Sequence, residues 1–551
     1  MASQKQTTVL IIGGGVVGLS ASLCLSQYGV SSLVIERHSG TSIHPRARSV
    51  NTRTMELFRH LRIDELVRKA GASLSPSKGI YTGNTLKEVI EPRPRTNENG
   101  KFPLAGLFAS ISPVNGAFVT QDMIEPVLVE AAKERGVEVK FYTECIGVDQ
   151  NDDSVTATLK DRETGVNKIV RADYLIAADG AKSAIRSQLN VSTTGRGAMG
   201  HLLNILFHAD LKAFVQQREF SLCIIENPEV SGLFTSINNS DRWVFHLSYD
   251  PSKGEKASDF TPEKCKELVR IALGMPEIEI DIKSILPWEP SVRIAERLKN
   301  GRIFLAGDAA HQMPPWGGQG ANSGIADAYN LSWKLAVVIK GFAGKELLET
   351  YDVERIPVGR EAAEASATGT DEHGIISMKL NLTVVRGWMR RIPLMSGLGY
   401  CYTSKAICVE DSSPLGGLTW RPWTLPSLFL GIDGRPGRRT PHIWVEQDGK
   451  RISTLDLLGK RFVLLAGSDG AFWLETVKKV SSDLGIDVAA YCVGFEGNLV
   501  APKGLFESAA GISSRGAILV RPDDFVAWRE RRQPLDHHAK LEQAMRQVLC
   551  L

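Results

Sequence analysis

The sequence lacks paired cysteines, and this absence removes several functional classes. Its 551 residues include eight cysteines but no Cys-x-x-Cys pair, so zinc ribbons and thioredoxin-type redox centres have no sequence signal. A chain of this length does not depend on disulfides for stability, which favours a reducing compartment, and we expect a cytoplasmic protein. Neither a metal-ligand pattern nor a nucleophilic triad is evident, and no metal site is predicted.

Long apolar runs and a surplus of one charge are also missing. No apolar run approaches the ~20 residues needed to cross a bilayer, so the sequence predicts no membrane span. The 65 basic and 62 acidic side chains give a net charge of only +3. A nucleic-acid-binding protein needs a basic face for the phosphates, and we therefore expect no nucleic-acid partner.

The chain begins with the pattern of a βαβ unit. Residues 8–12 form an apolar run typical of a buried strand, followed by Gly13-x-Gly15-x-x-Gly18, a predicted helix and a second strand ending at Glu36. Such glycines let a backbone turn approach a pyrophosphate, and the helix N-terminus supplies N–H donors. Glu36 would accept hydrogen bonds from ribose hydroxyls. The pattern predicts binding of FAD or NAD, and the alternative is a tight turn without a ligand.

A second glycine-rich region separates FAD from NAD. Residues 301–306 predict another buried strand, followed by Asp308 and a loop that leads into a helix. Asp308 would bind ribityl hydroxyls, and backbone N–H groups of Gly320, Ala321 and Asn322 would stabilise negative charge on a reduced flavin. A plain NAD dehydrogenase does not need this second site, so FAD is the expected bound cofactor.

The middle of the chain predicts an antiparallel sheet. Residues 220–225, 232–237 and 243–249 resemble strands, and in the last of these large apolar side chains alternate with smaller or polar ones such as His246. Alternate side chains point to opposite faces of a sheet. We therefore expect one covered face and one face that looks into a site.

Three motifs together resemble one family. They are, in chain order, Gly13-x-Gly15-x-x-Gly18 with Glu36, Asp179-Gly180 with the residues to Arg186, and Gly307-Asp308 with the loop to Asn322, supported by Pro45-Arg46-Ala47 and Gln121. Over about residues 8 to 360, the chain resembles the flavoprotein aromatic hydroxylases, the single-component FAD monooxygenases similar to para-hydroxybenzoate hydroxylase.

The C-terminal part resembles a different module. Residues 437–442, 453–459 and 516–523 are similar to the thioredoxin-fold domain appended to phenol hydroxylase and its relatives. Asp524 stands where that family often has Gly, so the turn there departs from the family's pattern. Since the segment lacks Cys-x-x-Cys, we expect a structural or subunit-contact role, including contact within a homodimer.

The resemblance implies an α/β fold with a Rossmann-type FAD-binding domain, an inserted antiparallel β-sheet substrate domain and a C-terminal thioredoxin-like domain. The expected FAD-binding domain comprises residues 1–75, 105–190 and 290–400, the substrate domain 76–104 and 191–289, a linker 401–435, and the thioredoxin-like domain 436–551.

The resemblance also implies roles for individual residues. The expected cofactor-binding residues are Gly13, Gly15, Val16, Val17, Gly18, Glu36, Arg37, Arg46, Gln121, Asp179, Asp308, Pro315, Gly317, Gly320, Ala321 and Asn322. Pro315, through its carbonyl, and Arg46, near the flavin, are the candidate catalytic residues, and His201 and His246 are candidate substrate contacts. The alternatives are a surface salt bridge for Arg46, a helix cap for Asp179 and structural roles for both histidines.

The family's chemistry implies the expected reaction. NADPH or NADH, binding transiently, reduces FAD by hydride transfer, and O2 then gives a flavin C4a-hydroperoxide that attacks an electron-rich ring. We expect hydroxylation of a phenolic or polyketide-type substrate, a hydrophobic aromatic small molecule. One alternative is Baeyer–Villiger oxidation or epoxidation of a polycyclic substrate by the same cofactor. Another is a catalytically silent flavin-binding protein with a C-terminal interaction module.

Overall fold

The computed structural model describes residues 5–74, 79–91, 111–370, 396–410, 431–495 and 497–551, which form a mixed α/β fold. Of the predicted segments, only 191–289 is described throughout, and parts of 1–75, 76–104, 105–190, 290–400, 401–435 and 436–551 lie outside the described residues. The α-helices are Val16–Gln27, Thr52–His60, Asp64–Ala70, Leu86–Ile90, Gln121–Glu134, Ala184–Gln188, Lys212–Val215, Pro262–Leu273, Gln319–Ile339, Thr350–Ala367, Phe472–Leu484, Leu505–Ala510 and His537–Leu549. Among these described helices, none combines the length and the apolar character that a bilayer crossing requires.

The first sheet is largely parallel and contains the predicted βαβ unit. Its strands, from edge to edge, are Lys299–Asn300, Ile303–Leu305, Asn167–Ala177, Lys5–Ile12, Ser32–Ile35 and Glu138–Lys140, with Val155–Asp161 and Thr143–Gln150 joined to Asn167–Ala177 in antiparallel order. From Ile303–Leu305 to Glu138–Lys140, every neighbouring pair is parallel. The apolar run of residues 9–11 is fully buried, as expected for the centre of a parallel sheet.

The second sheet is the predicted antiparallel one. Its strands, in order, are Asp281–Trp288, Leu202–His208, Arg242–Ser248, Ser231–Ser236, Leu222–Glu226 and Ile80–Gly83, and only the last pair is parallel. Trp243, Phe245 and Leu247 lie in one apolar core together with residues of helix Pro262–Leu273. Val244 belongs to a different cluster on the opposite face. The alternation read from the sequence thus separates a covered face from a second face.

Two small sheets connect these parts. Thr193–Ala198, Ser291–Ala295 and His311–Gln312 form an antiparallel three-stranded sheet. Ser49–Val50 pairs with Ala117–Phe118 in antiparallel order. The second pair holds the segment with the Pro-Arg-Ala motif beside the start of helix Gln121–Glu134.

The C-terminal region forms a seven-stranded sheet. Its strands, in order, are Lys450–Ser453, Trp444–Gln447, Leu499–Val500, Val488–Gly494, Phe462–Ala466, Ala517–Val520 and Val526–Glu530. Alternate residues of Phe462–Ala466 enter two separate apolar clusters, so both faces of the sheet are covered. Trp333 of helix Gln319–Ile339 packs edge-on against Phe462, with ring centroids 5.7 Å apart. The C-terminal sheet therefore shares its core with a long helix of the N-terminal region.

Candidate functional site

Four sequence-predicted site segments meet at one edge of the first sheet. The strands that end at residues 12, 35, 177 and 305 are parallel neighbours. The residues that follow them include Gly13, Glu36, Asp179 and Asp308. Because parallel strands bring their carboxyl ends to the same edge, residues far apart in sequence are placed around one crevice.

The three glycines of the first turn serve different purposes. A Cβ atom on Gly13, whose φ is +111°, would lie 2.1 Å from the carbonyl oxygen of Ala178. A Cβ on Gly18 would lie 1.9 Å from the carbonyl oxygen of Gly13. On Gly15 the nearest atom would be Glu125 Oε1, at 3.5 Å. The backbone packing thus requires Gly13 and Gly18, whereas Gly15 keeps the surface of the turn open to a ligand.

The helix that starts at this turn has free donors. Gly15 is the N-cap of helix Val16–Gln27, and no side chain of the described residues caps it. The N–H groups of Val16, Val17 and Gly18 are in the first turn, where a helix offers no backbone partner. These donors suit a pyrophosphate, which also gains from the positive end of the helix dipole.

Val17 holds the two glycine-rich regions together. Its side chain packs directly against Gly307 and Gly324. A Cβ atom on these glycines would lie only 2.9 and 2.5 Å, respectively, from Val17 Cγ2. A bulkier residue at either glycine would displace Val17. The contact fixes the start of helix Val16–Gln27 against the turn that precedes helix Gln319–Ile339.

Two carboxylates predicted to bind hydroxyl groups lie at this edge. Asp308 is exposed in the crevice. Glu36 accepts hydrogen bonds from the backbone N–H groups of Gly14, at 2.7 Å, and His38, at 2.9 Å. These bonds orient Glu36 beside the glycine turn. The neighbouring Arg37 is exposed, and its carbonyl accepts a hydrogen bond from Arg162.

The turn at Asp308 is fixed by a buried carboxylate that the sequence did not single out. Asp327 accepts hydrogen bonds from the Gly307 N–H at 3.0 Å, from His311 Nε2 at 2.7 Å and from Arg355 Nε at 2.7 Å. Burial raises the pKa of Asp327, but the charges of His311 and Arg355 outweigh it and lower the pKa overall. Asp308 opens onto the crevice, but the protein around the crevice desolvates its carboxyl and raises its pKa, against the lowering effect of His311 and Arg46. His311 thus has a structural role.

The loop before helix Gln319–Ile339 contains two consecutive left-handed residues. Gly317 and Gly318 have φ values of 74° and 63°, which favour glycine. The carbonyl of Pro315, predicted to face the substrate, accepts a hydrogen bond from the Gly318 N–H at 3.0 Å. Gly320 and Ala321 lie in the first turn of the helix, where their N–H groups have no intrahelical partner.

Asn322 ties this loop to a second helix. Its Oδ1 accepts hydrogen bonds from the Asn51 N–H at 2.9 Å and from Thr54 Oγ1 at 2.6 Å. Its Nδ2 donates to the carbonyl of Gly318 at 2.6 Å. The side-chain amide of Asn322 thus links the start of helix Gln319–Ile339 to helix Thr52–His60.

Arg46 and Gln121 lie beside each other. The Gln121 N–H donates to the Arg46 carbonyl at 2.8 Å, and Arg46 is exposed with no ion pair to a described residue. Buried Glu125 accepts from Gln121 Nε2 and from the Ser42 N–H, each at 2.6 Å. Burial raises the pKa of Glu125. Sequence reasoning missed Glu125, although a carboxylate four residues after Gln121 lies on the same helix face.

Asp179 has one oxygen without a partner. Its Oδ2 accepts a long hydrogen bond, 3.3 Å, from the Ile185 N–H, whereas Oδ1 is buried and makes no hydrogen bond to the described residues. The helix cap at this position is provided by Ser183, whose Oγ accepts from the Arg186 N–H at 2.9 Å. Most buried polar atoms in native proteins have partners, so this oxygen is an acceptor available to a bound group.

The second face of the antiparallel sheet combines apolar and polar side chains. Its apolar cluster consists of Leu202, Leu222, Ile224, Leu233 and Trp288, several of them only half-buried. Among them lies His246, which is hydrogen-bonded to Asn204 Oδ1 at 2.6 Å and to Thr235 Oγ1 at 3.0 Å. Burial, and then the charge of His44, lower the pKa of His246 to about 4, so its ring is neutral near pH 7.

The other predicted substrate contact lies elsewhere. His201 is two and four residues from Leu203 and Ile205, so it belongs to the same face of the sheet. Those two residues lie in the helix-covered core. Its ring packs 5.6 Å from that of Tyr249, which also contacts this core. The structure therefore does not bring His201 and His246 together.

His44 is a further group that the sequence did not indicate. Its side chain is 3% exposed, and neither ring nitrogen has a hydrogen bond of good geometry to a described residue. Burial, and then the charge of Arg46, lower its pKa to about 4. It lies between the Arg46 segment and Asn204, at the junction of the first sheet and the antiparallel sheet.

The C-terminal region reaches the same part of the molecule through buried charges. Asp524, with φ of +70°, accepts from Arg53 Nη1 at 2.7 Å and pairs with His60 at 3.1 Å. Arg53 also donates to Glu56 at 3.1 Å, and Glu56 in turn accepts from Arg439. Helix Thr52–His60 thereby joins the C-terminal sheet to Asn322.

These features fit FAD as the bound group. The helix N-terminus at Gly15 suits a pyrophosphate, and the exposed Asp308 suits ribityl hydroxyls. The orphaned oxygen of Asp179 lies at the same sheet edge. The first turn of helix Gln319–Ile339 supplies backbone donors for a flavin ring.

Comparison with known proteins gives the same assignment. A family profile described as FAD binding domain matches residues 6–366, and one described as aromatic-ring hydroxylase, C-terminal, matches residues 433–550. Tetracenomycin A2 monooxygenase-dioxygenase of Streptomyces glaucescens is 37% identical, over 100% of this chain and 98% of its own. 4-Methyl-5-nitrocatechol 5-monooxygenase of a Burkholderia species is 36% identical, over 99% of this chain and 98% of its own. The crystal structure of aklavinone-11 hydroxylase with FAD and aklavinone aligns over all of both chains, with a TM-score of 0.84 and 34% identity.

The chain therefore belongs to the FAD-dependent aromatic-ring hydroxylases, and the resemblance inferred from its motifs is confirmed. It is an FAD-dependent monooxygenase, an oxidoreductase that uses NAD(P)H and O2.

Proposed function

We propose that this monooxygenase hydroxylates a polycyclic aromatic substrate of the polyketide type. The observation that carries the proposal is the half-buried apolar face of the antiparallel sheet, which includes Leu222, Ile224 and Trp288. Such a surface binds a large flat ring system by burying its apolar area. Relatives named for tetracenomycin and aklavinone support a substrate of this size.

The proposed FAD site is divided among three elements. The turn from Gly13 to Gly18 would hold the pyrophosphate, with Glu36 on the ribose and Arg46 and Gln121 beside the cofactor. Asp308 would bind the ribityl chain, and the helix start at residues 320–322 would face the flavin. When bound, FAD supplies the reducing equivalents taken from NAD(P)H and the activated oxygen that enters the substrate.

The side chains of the chain itself orient the substrate and exclude water. His246 is neutral and held by Asn204 and Thr235, so it offers a fixed imidazole next to the apolar face. The buried surroundings keep water away from the reacting ring, which strengthens each polar contact made there. His201, on the covered face, is a less direct candidate and stays a prediction.

The domain assignment is part of the proposal. The parallel sheet with its glycine turn supports a Rossmann-type FAD domain, and the central strands of the C-terminal sheet, flanked by helices, support a thioredoxin-like domain without redox cysteines. The boundaries given by residues 1–75, 76–104, 105–190, 191–289, 290–400, 401–435 and 436–551, a cytoplasmic location and a homodimer stay predictions.

The decisive experiment is turnover in ¹⁸O2. FAD-loaded protein is incubated with NADPH or NADH and a panel of anthraquinones and tetracyclic polyketides, and products are analysed by mass spectrometry. One ¹⁸O atom on an intact ring is the expected result. A lactone or an epoxide product would show that the enzyme performs the alternative reaction, Baeyer–Villiger oxidation or epoxidation, instead of hydroxylation. NAD(P)H consumption that only yields hydrogen peroxide with every substrate would contradict the proposed substrate class.

A further inference from the structure

Arg48 lies beside residues 315–318, the loop before helix Gln319–Ile339 that we call the flavin loop. It follows Ala47, a non-glycine residue with φ of +44°, and precedes the short strand Ser49–Val50. The hydroxyl oxygen of Ser49 would be 3.5 Å from a Cβ atom on Gly318. Strained backbone of this kind concentrates at functional sites. Here the strained residue, Ala47, lies between Arg46 and Arg48.

The side chain of Arg48 crosses to the antiparallel sheet. Its Nη1 donates to the carbonyl of Ser221 at 3.2 Å. Ser221 precedes strand Leu222–Glu226, whose Leu222 and Ile224 belong to the half-buried apolar cluster. The guanidinium thus bridges the proposed cofactor site and the proposed substrate face.

No described carboxylate pairs with this guanidinium. The Nε atom is buried without a hydrogen-bond partner among the described residues, and burial alone lowers the pKa of Arg48 to about 10. The fully buried arginines behave differently, since each has an acidic partner: Arg53 with Asp524, Arg355 with Asp327, Arg439 with Glu56 and Arg521 with Glu354.

No titratable group offsets the desolvation of Arg48, and the groups around the nearby His44 supply no free negative charge. Asp122 is engaged by Arg242, with Oδ2 and Nη2 2.9 Å apart. His44 and His246 are neutral near pH 7 because burial lowers both pKa values to about 4. A desolvated cation without a counter-charge is costly, and this cost falls when an anion binds.

We propose that Arg48 is an anion-recognition residue that selects aromatic substrates presenting an ionised ring oxygen. The class includes phenolates and the enolates of hydroxyquinones. Ionisation also makes the ring more electron-rich, so Arg48 favours the form of the substrate that reacts best with an electrophilic oxygen. The inference rests on the proposed function, because it requires an aromatic ligand on the apolar face.

The experiment measures binding, independently of turnover, in the FAD-loaded full chain. The probes are 2-hydroxyanthraquinone, whose visible absorbance changes on ionisation, and its methyl ether, which cannot ionise. Each probe is titrated into wild-type protein, Arg48→Met, the charge-retaining Arg48→Lys and the control Arg171→Met. Arg171 is exposed on strand Asn167–Ala177 and donates to Ser154. Flavin content and thermal stability establish that each variant is folded.

The expected result separates charge from shape. In wild-type protein the pKa of the bound hydroxyl falls by about one unit or more, as for an acid beside a cation. Arg48→Met abolishes that pKa shift and weakens binding of the hydroxy probe roughly tenfold, whereas binding of the methyl ether changes little. Arg48→Lys restores most of the shift, and Arg171→Met behaves like wild-type.

Three results would overturn the inference. The first is an unshifted probe pKa in wild-type protein. The second is an equal loss of binding affinity for both probes in Arg48→Met, which would give Arg48 a packing role. The third is slower flavin reduction by NADPH, but not by NADH, in Arg48→Met. That result would assign Arg48 to the 2′-phosphate of the coenzyme. If neither probe binds wild-type protein, the proposed aromatic site itself is wrong, and the inference falls with it.

Discussion

Replacing Asp524 with Asn tests the buried charge network that joins the C-terminal sheet to the flavin loop. The carboxylate of Asp524 is fully buried and held by Arg53 and His60. Burial raises its pKa, but these two partners lower it from 3.8 to about 2. This difference corresponds to about 2.5 kcal/mol of the free energy of unfolding. Removing one member of a buried pair typically costs about 3–5 kcal/mol, so Asp524→Asn should lose about 2–4 kcal/mol.

The pH dependence has a definite sign. Because the pKa of Asp524 is depressed in the folded protein, its stabilisation is complete well above pH 3.8 and is lost as the pH falls towards 2. Wild-type protein and Asp524→Asn should therefore differ most near neutrality and converge in acid. Asn tolerates the left-handed backbone at this position, so the comparison isolates the charge.

The assay is guanidinium unfolding followed by tryptophan fluorescence between pH 3 and 7. Asp487→Asn is the matched control, because Asp487 pairs with Arg461 at 3.0 Å but its side chain is 69% exposed. An exposed pair contributes only about 0–1 kcal/mol. If Asp524→Asn were no less stable than Asp487→Asn, or if its deficit did not shrink in acid, the buried network would not have the energetic role given to it.

Three further predictions concern FAD binding, each measured as flavin content or as a dissociation constant. Gly18→Ala should lose most of the bound FAD, because its Cβ would lie 1.9 Å from a backbone oxygen, whereas Gly40→Ala, with no atom within 4 Å of its Cβ, should keep it. Asp308→Ala should release FAD during gel filtration, and unchanged flavin content would refute its role on the ribityl chain. Glu125→Gln should weaken FAD binding roughly tenfold, since an amide cannot accept from both N–H donors as the carboxylate does. Glu130→Gln, exposed on the same helix, should bind FAD like wild-type protein, and equal weakening in both would refute the specific role of Glu125.

The parts of the site that the sequence predicted depend on local rules. The turn at Gly13 to Gly18 combines a buried strand, glycine spacing and a helix start within a dozen residues, and short-range geometry determines all three. The position of Glu36 follows from the same unit. The alternation around His246 likewise gave the two faces of a strand, because side-chain direction in a strand has a period of two.

The missed residues depend on partners far away in sequence. Asp327 acts on Gly307 and His311 only after helix Gln319–Ile339 has packed against the first sheet. Glu125 resembles an ordinary polar residue of a helix until Ser42 is placed beside it. No local pattern reports such pairs.

Asp524 shows how a distant partner changes a local expectation. From the sequence, a residue other than glycine at this turn departs from the family's pattern. In the structure Asp524 adopts φ of +70° and stays there because Arg53 and His60 bind its carboxylate. The tertiary charge pair offsets the cost of the left-handed backbone, which is about 1–3 kcal/mol for residues in unfavourable regions.

The pairing of Arg53 with Asp524 also sets an order of events during synthesis. Helix Thr52–His60 leaves the ribosome early, whereas its counter-charge is encoded more than 450 residues later. At roughly 5–20 residues per second, this interval lasts on the order of half a minute or more. During that time Arg53 has its local partner Glu56 but lacks Asp524. Since Asn322 joins the flavin loop to this helix, we expect the loop to reach its final position only after nearly the whole polypeptide has been made.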